Sequence, residues 1–351
     1  MEPIKVTLPT RIAQILEKDA ELFSLVKSKN EPNKNKIYNL IIKNYQSIFQ
    51  EQHNKVITDM TLMLKDFNLE NNELIENIAN YFENRQIFEE DSKETTVIRV
   101  QVHKGTVGDF EDLIESLDGP YAEKSPCLRR LFCSYAAIPL NVREQIIFKD
   151  SVNKIKKAIH EKKAIKFKQR NNKRIVHPYA LVTSKEELYN YLLCKEIITD
   201  EKTKENKERY MSFRLTHIKD VFIQNANAHF TDTDIEYLEA TKKLSPQYIV
   251  RNHDPKVQVL LNDEGEKQLD RIYTHRPKLI EKNGHIFTFA CTEDQAKAYF
   301  TKFKRNAVII EPKSLTEKMQ KDFYETQKTY KIYLAKGLEA CKEYMKINNH
   351  E

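Results

Sequence analysis

The sequence reads as an α+β protein made of several small units. Two stretches, Ile4 to Leu8 and Ile98 to Val102, alternate apolar and polar residues with the period of two of a half-buried strand, and apolar residues at helical spacing follow each. Between 164 and 223 lie four or five short apolar runs broken by turn residues, the pattern of a small barrel or curled sheet. From 256 onward strands and helices alternate in the order of a split βαβ unit.

At the N-terminus, Ile4-Lys-Val-Thr-Leu8 predicts a strand. Pro9-Thr10 then offers a helix start, and Ile12, Ile15, Leu16, Leu22 and Phe23 form one stripe. The polar stretch from Lys27 to Lys36, with Pro32, separates this helix from a second one that carries Ile37, Leu40, Ile41, Tyr45 and Ile48. Ile98-Arg-Val-Gln-Val102 repeats the first strand, followed by helical stretches through Val107, Phe110, Leu113, Ile114 and Leu117, and through Leu128, Leu131, Phe132 and Tyr135, with a break at Gly119-Pro120. The two copies could pair as an internal pseudo-dimer. Between them, residues 51–90 predict two acidic helices, one with Val56, Met60, Met63 and Leu64, the next with Leu74, Ile75, Ile78, Tyr81 and Phe82.

A helix with Val152, Ile155 and Ile159 leads into candidate strands Ala164 to Lys168, Arg174 to Leu181, Leu188 to Leu193, Tyr210 to Leu215 and Val221 to Ile223. Strands then follow at Lys256 to Leu261, Ile286 to Phe289 and Ala307 to Ile310. A helix runs from Asp294 to Phe303, and a long helical tail begins at Ser314. The tail carries Met319, Phe323, Tyr330, Tyr333, Leu334, Leu338 and Tyr344 as an apolar stripe of the kind that forms core or a partner surface. The domains expected are therefore 1–50, an acidic connector at 51–95, 96–149, 150–240 and 255–351.

Composition narrows the function. With 351 residues, 40% hydrophobic and 31% charged, the chain buries a core and is not disordered. Only 6 glycines occur, and none assemble a phosphate-cradling loop; Gly105-Thr-Val-Gly108 reads as a turn. The 5 cysteines form no CxxC pair, and Cys127 and Cys133 have no common zinc spacing. The 10 histidines form no HExxH motif. No apolar run approaches the roughly 18 residues of a membrane span, and no secretory leader is evident. These observations point to a cytoplasmic binding protein, with no catalysis, metal, cofactor or membrane anchor expected.

The net charge of +6 is unevenly spread, since residues 151–175 hold 10 Lys and Arg against a single acid while residues 51–95 hold 4 against 11. A cationic island of this kind attracts polyanions through counterion release. It equally suits a solvated face whose lysine stems cover apolar surface.

The N-terminal strand, helix and helix resemble the ribbon-helix-helix family. That resemblance implies Lys5 and Thr7 facing a DNA groove, Ile4, Val6 and Leu8 facing the core, and Asn33, Lys34, Asn35 and Lys36 at a phosphate-facing helix start. A strand used only for dimerisation remains open. In the centre, Arg174 before His177-Pro178-Tyr179, then Tyr191-Leu192, then Arg209 with Phe213-Arg214-Leu215 and Ile218, resemble the WYL domain in order and spacing, with Asn190 where Trp is usual and His217 where the closing Arg is usual. That resemblance implies an Sm-like β-barrel with a basic pocket of Arg174, His177, Tyr191, Arg209, Arg214 and His217 for a nucleotide or nucleic-acid strand, with Lys166 and Lys168 beside it and Tyr179 divided between pocket and core. The residues after 255 resemble the ferredoxin-like extension that follows WYL domains and is associated with oligomerisation.

The whole arrangement is similar to the accessory WYL proteins of type VI-D CRISPR systems. It implies a homodimeric, non-catalytic protein that binds single-stranded RNA and modulates the RNA-targeting effector. The alternative is a ligand-responsive transcription regulator that holds DNA through its N-terminal unit and senses a nucleotide in the WYL pocket.

Overall fold

The computed structural model describes residues 2–27, 31–65, 67, 71, 74–79, 94–118, 123–170, 172–185, 187–199, 206–250 and 255–346. The chain divides into two units. One comprises Met1–Thr183, Leu188–Leu192 and Phe213–Asn227; the other comprises Ser184–Glu187, Leu193–Ser212 and Ala228–Glu351.

In the first unit, strand β1 (Ile4–Pro9) pairs antiparallel with β2 (Thr95–Val100), placing Lys5 opposite Arg99, Val6 opposite Ile98 and Thr7 opposite Val97. The two copies thus pair within one chain. Alternation decides the faces: Val6, Leu8, Ile98 and Val100 are buried, while Lys5, Thr7, Val97 and Arg99 are exposed. Helices α1 (Thr10–Leu22), α2 (Lys34–Lys65), α3 (Val107–Asp118) and α4 (Lys124–Ala137) close over the apolar face. They share one core in which Leu16, Ile37, Ile41 and Tyr45 meet Phe110, Leu128, Leu131 and Tyr135.

One expectation is corrected here. The first acidic helix is not a separate connector element, because α2 continues unbroken from Lys34 to Lys65. Residues 74–79 are helical as expected, with Ile75 buried; Tyr81 and Phe82 lie outside the described residues.

Asp19 ties the two copies together. Its buried carboxylate accepts from Arg143 Nε at 2.7 Å and Nη2 at 2.9 Å, and from Tyr135 Oη at 3.0 Å. Burial, followed by the Asp19 charge, holds the Tyr135 phenol well above its ordinary pKa.

Helices α5 (Leu140–Ile147) and α6 (Lys149–His160) complete the unit's helical layer. Val152, Ile155 and Ala158 of α6 are buried on the side from which the helix packs against β3 (Lys163–Gln169), β4 (Asn172–Thr183) and β7 (Lys219–Asn227). With β5 (Asn190–Thr199) and β6 (Asn206–Arg214) the strand order is β6-β5-β4-β3-β7. This five-stranded sheet is not closed into the expected barrel: β6 and β7 end the sheet rather than pairing with each other.

In the second unit, α7 (Asp232–Leu244) begins with a capping box in which Thr231 and Asp234 satisfy each other's backbone N–H groups. Strand β8 (Lys256–Leu261), α8 (Asp263–Arg271), β9 (Lys278–Asn283), β10 (Ile286–Ala290), α9 (Glu293–Phe300) and β11 (Ala307–Glu311) form a βαββαβ unit with the antiparallel order β11-β8-β10-β9. Val257, Val259, Leu261, Phe287, Phe289 and Ile309 form its core with Tyr299, Phe300 and Phe303.

The tail, α10 (Lys313–Tyr344), is not one straight helix. Gly337, at φ 82° and ψ −172°, breaks it. Tyr344 donates to the Glu325 carboxylate, and Lys328 lies 5.0 Å over the Tyr344 ring. An unbroken helix would hold residues 325 and 344 roughly 28 Å apart, so the chain turns back at the glycine.

Candidate nucleic-acid interface

Where β6 ends and the turn Leu215–His217 begins, Arg214 lies flat on an aromatic ring, its guanidinium carbon 3.4 Å from the centre of Tyr189. Its Nη2 donates to the Leu22 carbonyl at 3.1 Å. Its Nε is buried with no hydrogen-bond partner among the described residues. A guanidinium fixed by stacking and one backbone bond, with a donor left over, is pre-organised for an anion.

His217 follows on the same turn, at the surface. Partial burial is the first cause that lowers its pKa from the ordinary imidazole value, and Arg214 and Arg170 are the next. Glu144 opposes them, and Lys219 adds to them. An arginine pair, a lysine and a histidine thus share one field. Three residues that form or flank this cluster, Arg170 (φ 54°), Leu188 (φ 57°) and Asp220 (φ 53°), adopt left-handed backbone without being glycine. Such strain gathers at sites where the fold holds side chains in place.

The support beneath is a buried polar knot. Glu144 is fully buried and accepts from Thr216 Oγ1 at 2.6 Å, from the Asn190 backbone N–H at 2.7 Å and from Asn190 Nδ2 at 2.8 Å. Asn190 Nδ2 also donates to the Asn141 carbonyl at 2.7 Å, and its Oδ1 accepts from Gln145 and Thr183. The knot locks the start of β5, just after Tyr189, to the turn that carries His217.

Arg174 stands opposite Phe167 in the β3–β4 register, on the buried side where Phe167 meets Phe213 at 5.2 Å. Lys166 and Lys168 alternate with Phe167 and so face the other side of the sheet, where Lys168 pairs with Asp220 at 2.7 Å. His177 and Tyr191 are buried, and Tyr179 is half-buried. Arg209 belongs to the second unit, where its Nε meets the buried Glu196 at 2.7 Å. Lys5 and Thr7 lie exposed on the ribbon. Asn33 caps α2 by accepting from the Lys36 N–H at 3.1 Å, and Lys34 pairs with Glu17 at 2.7 Å.

Sequence reasoning missed Tyr189, Arg170 and Lys219. Arg170 and Lys219 carried a signal in their nearness to the basic island and to His217, whereas Tyr189 is distinguished from Tyr191 only by the turn before it.

The second unit holds its own ionic cluster. Buried Lys195 pairs with Asp234 at 2.9 Å and Glu208 at 3.0 Å, and Tyr210 donates to Asp234 at 2.9 Å. Burial alone would lower the Lys195 pKa, but these partners raise it. Such a saturated network organises structure. Among the described residues no three His, Cys, Asp or Glu side chains gather to hold a metal ion, and no helix is long and apolar enough to cross a membrane.

No family model matches the chain, and no curated protein matches it. Among solved structures, proteasome accessory factor B/C of Arthrobacter aurescens aligns over 91% of this chain and 48% of that chain at 13% identity, with a TM-score of 0.22. The crystal structure of a CRISPR Cas-related protein aligns over 94% of both chains at 16% identity with a TM-score of 0.65, and this chain is similar to it in fold.

Proposed function

We propose that the protein is a non-catalytic accessory protein that binds single-stranded RNA, and that it modulates the RNA-targeting effector of a type VI-D CRISPR system. The observation that carries this reading is Arg214, stacked on Tyr189 with a buried donor unpaired, beside His217 and within the field of Arg170 and Lys219. Fixed guanidinium groups suit phosphates, and their neighbouring aromatics suit unpaired bases. The likeness in fold to a CRISPR Cas-related protein supports the accessory role. The order of Arg174, His177, Arg209 and Arg214 supports a WYL-type central domain, and we take the protein to act in the cytoplasm as a homodimer through its C-terminal half.

A second reading, a DNA-binding regulator whose central pocket senses a nucleotide, draws on the ribbon. Lys5, Thr7, Val97 and Arg99 stand on its exposed face, as they would in a ribbon-helix-helix protein.

One experiment separates the two. Fluorescence anisotropy with labelled single-stranded RNA, the matching single-stranded DNA and duplex DNA is followed across a salt series. RNA binding that is steep in salt and is lost in Arg214→Ala supports the first reading. Duplex preference that survives Arg214→Ala and disappears in Lys5→Ala with Thr7→Ala overturns it in favour of the second.

A further inference from the structure

The side of the β4-β3-β7 sheet that carries Lys166 and Lys168 presents two rows across three strands. In one row Lys173, Lys168 and Lys219 stand directly opposite one another; in the next, Ile175, Lys166 and Phe222 do. Residues opposed in register share a face. On β3 and β4 the rows lie about 6.7 Å apart, a spacing comparable with one extended nucleotide, and on β7 a bulge sets Lys219 and Phe222 three residues apart. Phe222 is 60% exposed and Ile175 43%.

Neither row serves the fold. Like charges set directly opposite across strands destabilise a sheet, and a mostly exposed phenylalanine on a strand forgoes the burial that favours it there. Asp220, half-exposed against Lys168, offsets one of the three lysines of the first row, in a surface pair of small value. The concentration of positive charge favours a polyanion over a protein surface, since an apolar protein contact would have to bury lysines without partners. A flat exposed ring among lysines is what single strands use: any base stacks on the ring while ammonium groups follow the phosphates.

We propose that this face is a stacking platform for single-stranded nucleic acid, with Phe222 under a base and Lys166, Lys168, Lys173 and Lys219 along the backbone. The proposal deepens the nucleic-acid reading above and rests on it. Lys219, opposite Lys168 on this face, stands two residues after His217, so the platform adjoins the turn that carries the Arg214 cluster.

The chain contains no tryptophan, so Phe222→Trp places a single reporter in the full-length protein. Single-stranded RNA and single-stranded DNA of the same sequence, duplex DNA and poly-glutamate are titrated against it, with anisotropy of the labelled nucleic acids followed in parallel. Tyr333→Trp, on the exposed tail helix, is the control. Quenching by the single strands in Phe222→Trp and none in Tyr333→Trp is the expected result. Phe222→Ala then weakens binding about tenfold, and Lys166→Ala with Lys173→Ala lowers the salt slope by about 0.7 per lysine.

RNA that binds by anisotropy without quenching the indole of the Phe222→Trp variant, with Phe222→Ala binding as tightly as the native chain, overturns the platform and leaves the Arg214 reading intact. Quenching by poly-glutamate alone reassigns the face to an acidic protein and overturns the proposal. Absence of any nucleic-acid binding overturns both.

Discussion

Asn190 gives Glu144 two of its hydrogen bonds, one from its backbone N–H and one from its side-chain amide, inside a site closed to solvent. Here a short amide organises a buried carboxylate. Asn190→Ala removes one donor from a buried charge and orphans Gln145 and Thr183. The expected cost is about 3 kcal/mol, read as a lower midpoint in urea unfolding followed by far-UV circular dichroism. Asn190→Trp is expected to destabilise at least as much, because a large ring enters a filled polar site. A neutral effect in either variant would mean that the knot does not hold this end of β5.

Proton linkage at His217 has a definite sign. The folded-state pKa lies below the ordinary value of roughly 6.5. Above that value both folded and unfolded states are neutral at this residue, so it contributes nothing to the pH dependence. As pH falls through 6.5 toward the folded value, the unfolded chain takes up the proton first and stability declines. RNA affinity runs the other way. A bound phosphate favours imidazolium, so binding tightens as pH falls across the same window, and His217→Gln abolishes that dependence while leaving binding at pH 8 nearly unchanged. Anisotropy titrations between pH 5.5 and 8 test this, and a flat native profile would remove His217 from the interface.

Much of this was legible in the sequence for a simple reason: period-two and period-3.6 patterns report burial, so the ribbon strands, their helices and, in the C-terminal part, β8, β10, α9 and β11 could be read directly, whereas β9 escaped because all of its residues are exposed and show no alternation. The internal pairing of the copies at 4 and 98 followed from their likeness. The end of α2 could not be read, because no glycine or proline stands between Pro32 and Gly105 to mark one; the change in charge near residue 51 coincides with no boundary in the helix. The open sheet also escaped, since closure depends on whether β6 meets β7, a long-range pairing that alternation does not encode. The same holds at the site. Tyr189 and Tyr191 are equivalent by pattern, and the left-handed backbone at Leu188, just before Tyr189, is a property of the turn.

The Asp19–Arg143 pair joins α1 to α5 across the two copies, with both carboxylate oxygens engaged and Asp19 almost fully buried. Arg143→Met leaves that carboxylate with Tyr135 as a donor, at an expected cost of about 4 kcal/mol. Asp19→Leu combined with Arg143→Met removes the uncompensated charge and recovers most of the loss. A double-mutant cycle by urea denaturation measures the coupling. If the double variant were as unstable as Arg143→Met, the loss would come from packing and not from charge.

At the start of α8 the second unit contains a close approach that only glycine allows. A Cβ added at Gly265 would stand 2.2 Å from the Asn306 carbonyl oxygen, well inside contact distance. That oxygen already accepts from the Asn262 N–H at 3.3 Å, so it is not free to move aside. Gly265→Ala therefore pushes the helix away from the segment that leads into β11, with an expected loss of about 2 kcal/mol. Two residues before Asn306, Lys304 holds φ 55° and ψ −124°, a conformation that glycine adopts with little strain and a side chain does not. Lys304→Gly should relieve that strain and gain about 1 kcal/mol. Urea unfolding of the two variants should shift the midpoint in opposite directions with an unchanged slope. Opposite signs from two residues flanking one carbonyl would locate the constraint in the backbone there, because a loss of side-chain packing in the core would lower stability in both.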